Sequence, residues 1–228
     1  ASLVGSEMCI SDRARLVYWC KASAYCDDLP QHYTRYSVAF CKEAPRVNYA
    51  TIKYCDIANG TGVRTSLFVS GCRRHCPECF NAVAWDFGYG LPFDKAVRNE
   101  ILGSLAPDYI DGLSLLGGEP FEPENQRALV PFLHEVRVLY PHKTIWCYTG
   151  NVYETELLQP SHARCEVTDE MLSLIDVLVD GEFIPAQHDI SLRFRGSGNQ
   201  RIIDLNATRA AGHTVLWQDD PLFADHKM

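Results

Sequence analysis

The sequence has no apolar stretch that approaches the roughly 20 residues a membrane-spanning helix needs. It has no long basic run either. Lys and Arg number 21 against 29 Asp and Glu, a net charge of −8, which makes nucleic acid a poor partner. No charged segment followed by an apolar one opens the chain, so no secretory signal is read there and the cytoplasm is the expected compartment. Internal repeats and low-complexity tracts are also missing. What remains is 228 residues at 46% hydrophobic, enough for one domain with a sizeable core. Cysteine is plentiful, at ten. Without a secretory signal, ten cysteines favour metal binding or free thiols over disulfides.

Residues 1–46 read differently from the rest. They hold Cys9, Cys20, Cys26 and Cys41, none in a C-x-x-C pair, and show no apolar period. The opening ASLVGSEMCISDR resembles translated sequencing-adapter read-through. The stretch is expected to be a non-native or poorly ordered extension; a small Cys-rich extension is the rival reading. Residues 47–204 form the expected domain. Residues 205–228 are less patterned and are expected to be a loosely docked C-terminal tail.

From Tyr49 onward, short β-branched and aromatic runs alternate with helical periods. Strands are predicted over Tyr49–Ile57, Ser66–Ser70, Gly112–Leu116, Thr144–Tyr148 and Val177–Val179. Helices are predicted over Phe93–Leu105, Glu124–Leu139 and Thr168–Ile175, the last with Thr168 as N-cap. The alternation argues for βαβ units in an α/β fold with a mostly parallel sheet, open or curled into a partial (β/α) barrel. Four polar loops then follow four strands: Gly71-Cys72, Gly117-Gly118-Glu119-Pro120, Thr149-Gly150-Asn151 and Asp180-Gly181. In a parallel sheet these share the edge at the carboxyl ends of the strands, where such folds place their sites.

Cys72, Cys76 and Cys79 form a C-x3-C-x2-C run. Three thiolates so spaced can hold three irons of a [4Fe–4S] cluster, which normally takes four cysteines. A triad with no fourth cysteine nearby leaves one iron open to a substrate. The alternative is a structural zinc loop, which would want a fourth ligand; His75, set between two cysteines, is badly placed to be one.

The run followed by Phe80 resembles the signature of the radical S-adenosylmethionine (SAM) superfamily. The wider set resembles the activating enzyme of anaerobic ribonucleoside-triphosphate reductase, a glycyl-radical activase. It comprises Asp56 to Arg64, Leu67 to Cys72, Asn81, Trp85, Gly117 to Pro120, Trp146 to Gly150, Asp176 to Gly181 and Phe194 to Arg201. The likeness covers about Asn48 to Asp204. Glu78 and Gly198 depart from it, where glycine and serine are common.

The resemblance implies a partial barrel of radical SAM type. It also implies a cluster held by the triad and SAM cleaved reductively at it, with a hydrogen then abstracted from a glycine Cα of the large reductase chain. Gly117, Gly118, Glu119 and Pro120 are expected at the methionyl ammonium. Phe80 is expected against the adenine or as a shield over the cluster. Thr149, Asn151 and Asp180 are candidates for the ribose or carboxylate end, with a helix cap as the other reading for Asp180. Asn199 and Arg201 would complete the SAM pocket or the partner surface. Arg73, Arg74 and His75 would tune the cluster potential or meet an acidic electron donor, with a solvated loop face as the favoured reading. A reduced flavodoxin or ferredoxin-like protein is the expected electron donor, with neither nucleic acid nor membrane as a partner. The alternatives are an activase for another glycyl-radical enzyme such as pyruvate formate-lyase, or a non-enzymatic iron–sulfur or zinc module.

Overall fold

The computed structural model describes residues 46–219. The expected extension, apart from Arg46, lies outside the described residues, as does the end of the tail from residue 220. Seven strands form one sheet. In chain order they are β1 (Asn48–Asp56), β2 (Arg64–Val69), β3 (Leu91–Pro92), β4 (Gly112–Gly117), β5 (Thr144–Tyr148), β6 (Val177–Asp180) and β7 (Arg201–Asp204). They lie in the order β3-β1-β2-β4-β5-β6-β7. The middle four, β2, β4, β5 and β6, are parallel, and the flanking pairs are antiparallel. The chain is thus mixed α/β with a parallel centre.

Among the described residues, four α-helices connect or follow these strands: α1 (Lys95–Ser104), α2 (Pro123–Leu139), α3 (Thr168–Leu174) and α4 (Leu205–Ala211). Side chains alternate across each central strand. Leu67, Val69, Leu113, Leu115, Ile145, Cys147 and Leu178 join the main core with Ile101 and Leu105 of α1 and Leu129, Phe132, Leu133 and Val136 of α2. Trp146, Val177 and Val179 form a smaller cluster, with Phe194 and Trp217 packed on it. A strand buried on both faces must be apolar throughout or carry polar groups that are satisfied. Arg64 is the extreme case. It is fully buried, yet its guanidinium donates to Ser114 Oγ, Thr144 Oγ1 and the carbonyls of Thr61, Leu113 and Thr144. Burial lowers its pKa to about 10.

The predicted strands and helices appear with shifts of a residue or two at most of their ends. Thr168 is not the N-cap; that position is Val167, with no side-chain bond. The Thr168 hydroxyl instead donates to Gln126 Oε1 and accepts from Cys165 N, tying α3 to α2. The segment after Asp204 opens as α4, capped by Asp204 accepting from Ala207 N, with Leu205 buried. Further on, Leu216 bridges to Ile203 and Trp217 meets the ring of Trp146 at 5.4 Å.

Candidate functional site

The four polar loops meet at the carboxyl ends of the parallel strands and are laced together. Gly118 N donates to Val69 O at 2.7 Å, and Glu119 N to Gly71 O at 2.8 Å. Glu119 is buried, and its carboxylate accepts from Phe121 N, Gly150 N and Thr149 Oγ1, each within 2.9 Å. Burial pushes its pKa up to about 7 against those three donors. The Thr149 hydroxyl accepts from both nitrogens of Asn151, and Thr149 N donates to Val179 O. Gly181 N completes the chain of contacts at Asn151 O, 3.2 Å.

At the end of β6, Asp180 is 1% exposed and accepts from Tyr153 N and from Arg201 Nε and Nη2. It caps no long helix; it fixes the start of a single π-helical turn, Tyr153–Leu157, and holds Arg201. Arg201 also forks onto Glu154. Asn199 accepts from Ser197 Oγ and donates to Glu182 O. These groups wall a cleft of about 460 Å3 lined by Arg74, Gly150, Glu156, Asp180, Asn199 and Arg201, among others.

The cysteine loop runs from β2 to a short 3-10 turn, Ala82–Trp85. Gly71 N and Cys72 N donate to Ala84 O and Trp85 O, which folds the loop back on itself. His75 and Glu78 hold φ of 50° and 56°, unusual for non-glycine residues, and His75 stacks on Trp85 at 4.5 Å. Arg73 is held by Glu122 and Glu124 and lies 4.4 Å over the Phe87 ring. Arg74 is held by Asn151, Glu156 and Glu182. Arg73 and Arg74 therefore brace the loop through these carboxylates, while Arg73 and His75 remain exposed to solvent.

All three thiols are free. Among the described residues no group of three or more His, Cys, Asp or Glu side chains is gathered into a metal cage. The donor set nevertheless fits a cluster: three thiols fall within one short loop, with Cys72 buried. Burial, with the Glu119 charge adding, pushes the Cys72 thiol up to about 11, and burial raises Cys76 as well. A bound cation reverses that preference, since coordination deprotonates a thiol.

The structure brings most of the predicted residues to this edge. Glu119, Thr149 and Asn151 form the buried hub, and Asp180, Asn199 and Arg201 line the cleft. Phe80 is the outlier, 85% exposed and away from the cleft lining. Sequence reasoning missed Glu154, Glu156 and Glu182 because they sit in unpatterned connections. It also gave Arg74 no partner. The one available signal was its place between two candidate ligands.

Residues 58–203 match a family described as a 4Fe-4S single cluster domain. Among curated proteins, the chain is 40% identical over 158 residues to the anaerobic ribonucleoside-triphosphate reductase-activating protein of Haemophilus influenzae. That span covers 68% of this chain and 97% of the relative. It is 40% identical over 156 residues to the protein of that name from Escherichia coli K12, covering 68% and 96%. The phage T4 protein of the same name is 35% identical over 156 residues, covering 68% and 93%.

Proposed function

Because the chain belongs to the family of anaerobic ribonucleoside-triphosphate reductase-activating proteins, we propose that it is a radical SAM activase that makes a glycyl radical on the large reductase chain. Cys72, Cys76 and Cys79 hold a [4Fe–4S] cluster. When bound, it supplies the electron that splits SAM into methionine and a 5'-deoxyadenosyl radical, which takes a hydrogen from a glycine Cα of the partner. SAM occupies the cleft beside the cysteine loop. The electron comes from a reduced flavodoxin or ferredoxin-like protein in the cytoplasm, and the sheet, with its cysteine-loop edge, is the partial barrel of radical SAM proteins.

The chain's own contribution is placement. Glu119 draws the Gly117-Gly118 and Thr149-Gly150 loops together, leaving the glycine backbone beside the cysteine loop to meet the methionyl ammonium. Asp180 and Arg201 fix the far wall, Asn199 stands along it, and Asn151 supports it from the buried hub behind. Phe80, exposed at the loop, backs the adenine or shields the cluster.

The observation that carries this reading is the convergence of a three-thiol loop and a polar cleft at one edge of a parallel sheet, in a chain of this family. The test is anaerobic reconstitution with iron and sulfide, then SAM and a reductant, scored for 5'-deoxyadenosine. Cys72→Ala, Cys76→Ala and Cys79→Ala should each abolish iron binding and cleavage. Full iron content in any of the three would remove that residue from the ligand set, and wild-type protein that binds iron without cleaving SAM would leave the non-enzymatic iron–sulfur module.

A further inference from the structure

Two adjacent arginines in the cysteine loop are used in opposite directions. Arg73 turns to Glu122, Glu124 and Phe87, outside the cleft. Arg74 turns into the cleft wall, where its side chain is 14% exposed. Its Nη2 reaches Asn151 Oδ1 at 2.9 Å and Glu156 Oε1 at 2.5 Å, and its Nη1 stands 3.6 Å from Glu182 Oε2. Its stem lies on the Gly150 backbone: a Cβ at position 150 would stand 2.5 Å from Arg74 Cδ. One side chain, rooted between Cys72 and Cys76, thus touches the β5 loop, the π turn and the β6 loop at once. Its Nε–H is buried and has no partner among the described residues.

We propose that Arg74 is a positioning residue that sets the cysteine loop in register with the cleft, so that its loss weakens SAM binding without loss of the cluster. The inference rests on the function proposed above. The loop keeps its other supports when Arg74 is removed: the backbone bonds of Gly71 and Cys72, and the Arg73 clamp. What goes is the link to the wall, and a misplacement of about 1 Å can cost up to about 10²-fold. Lys cannot replace the link, because a point charge does not reproduce a planar fork serving several acceptors. Charge alone predicts the opposite sign. Glu156 and Glu182, freed of Arg74, would attract cationic SAM more strongly, so weaker binding is diagnostic of positioning.

The test uses the full chain reconstituted anaerobically as wild type, Arg74→Gln, Arg74→Lys and Arg74→Gln/Glu156→Gln. Iron content is measured, and the reduced-cluster paramagnetic resonance spectrum is followed as SAM is titrated. Arg74→Gln should keep normal iron and a normal spectrum without SAM, while the SAM concentration for half-maximal spectral change rises about tenfold or more. Arg74→Lys should fall between. The double variant should be no worse than Arg74→Gln, since the partner contact is already gone. An unchanged or tighter titration overturns the proposal, as does iron lost in step with SAM binding, or additive effects in the double variant. A wild-type spectrum that ignores SAM would instead overturn the functional reading beneath it.

Discussion

Gly117 holds φ at +109°, and a Cβ built on it would stand 2.7 Å from Phe68 Cα and 2.8 Å from Val69 N. Gly118 is as constrained, with Gly71 O 2.6 Å from its would-be Cβ. The obstructing atoms are backbone of β2 and the loop after it, and β2 cannot withdraw without breaking the parallel ladder to β4. The motif that suggests a ligand contact is thus also a closure between two strand ends. Gly117→Ala should destabilise the metal-free chain by about 2–4 kcal/mol in chemical denaturation. Gly103→Ala is the control, because a Cβ there meets nothing within 4 Å near the end of α1. It should be neutral or stabilising by up to about 1 kcal/mol. Equal effects from the two substitutions would refute the close approach.

At the scale of elements, Arg201 on β7 is what ties the last strand to the π turn after β5. It forks onto Glu154 and reaches Asp180, while Thr214 Oγ1 donates to Glu154 from beyond α4. The Arg201 hydrogen bond is the main cause holding the Glu154 carboxyl at about 2, down from 4.5. A depressed carboxylate stabilises the fold above its unfolded pKa and loses that contribution as pH falls through the folded one. The Glu154 contribution should therefore be complete above pH 4.5 and disappear towards about pH 2. Both side chains are partly exposed, so salt screens the pair and the effect is modest. The check is the difference in unfolding free energy between the metal-free wild type and Glu154→Gln across that window. It should shrink with acid, and a constant difference would remove the ion pair as its cause.

The same elements mark what was legible in the sequence. The parallel strands were, because burial on both faces demands continuous apolar runs such as Leu67 to Val69. The order of glycine-bearing loops along the chain foretold which loops would share an edge. β7 and α4 were not: four residues, Arg201 to Asp204, are too few for a period, and the strand's role is an antiparallel edge whose polar face serves Asp180. β3 is two residues and carries no pattern at all. The clamps on the cysteine loop were equally hidden, since Glu122, Glu156 and Glu182 stand far from the arginines in sequence and only the sheet brings them near.

For the molecule as a whole, the question is how much of the chain the chemistry needs. The relatives aligned here are spanned at 96–97% by 156–158 residues in the two bacterial cases, yet those residues are only 68% of this chain. The cluster-domain match runs over 58–203. A relative that is almost all domain needs no counterpart of residues 1–46, and the site's parts, from Cys72 to Arg201, all fall inside the matched span. Deleting residues 1–46 should leave iron content after reconstitution and the rate of SAM cleavage within about twofold of the full chain, a change of only about 0.4 kcal/mol in barrier. The comparison should be made at equal iron loading, so that assembly and turnover are read separately. If the shortened chain takes up iron but cleaves SAM slowly, the first 46 residues contribute to the site. If it fails to take up iron, they belong to the domain, and the boundary at 47 is wrong.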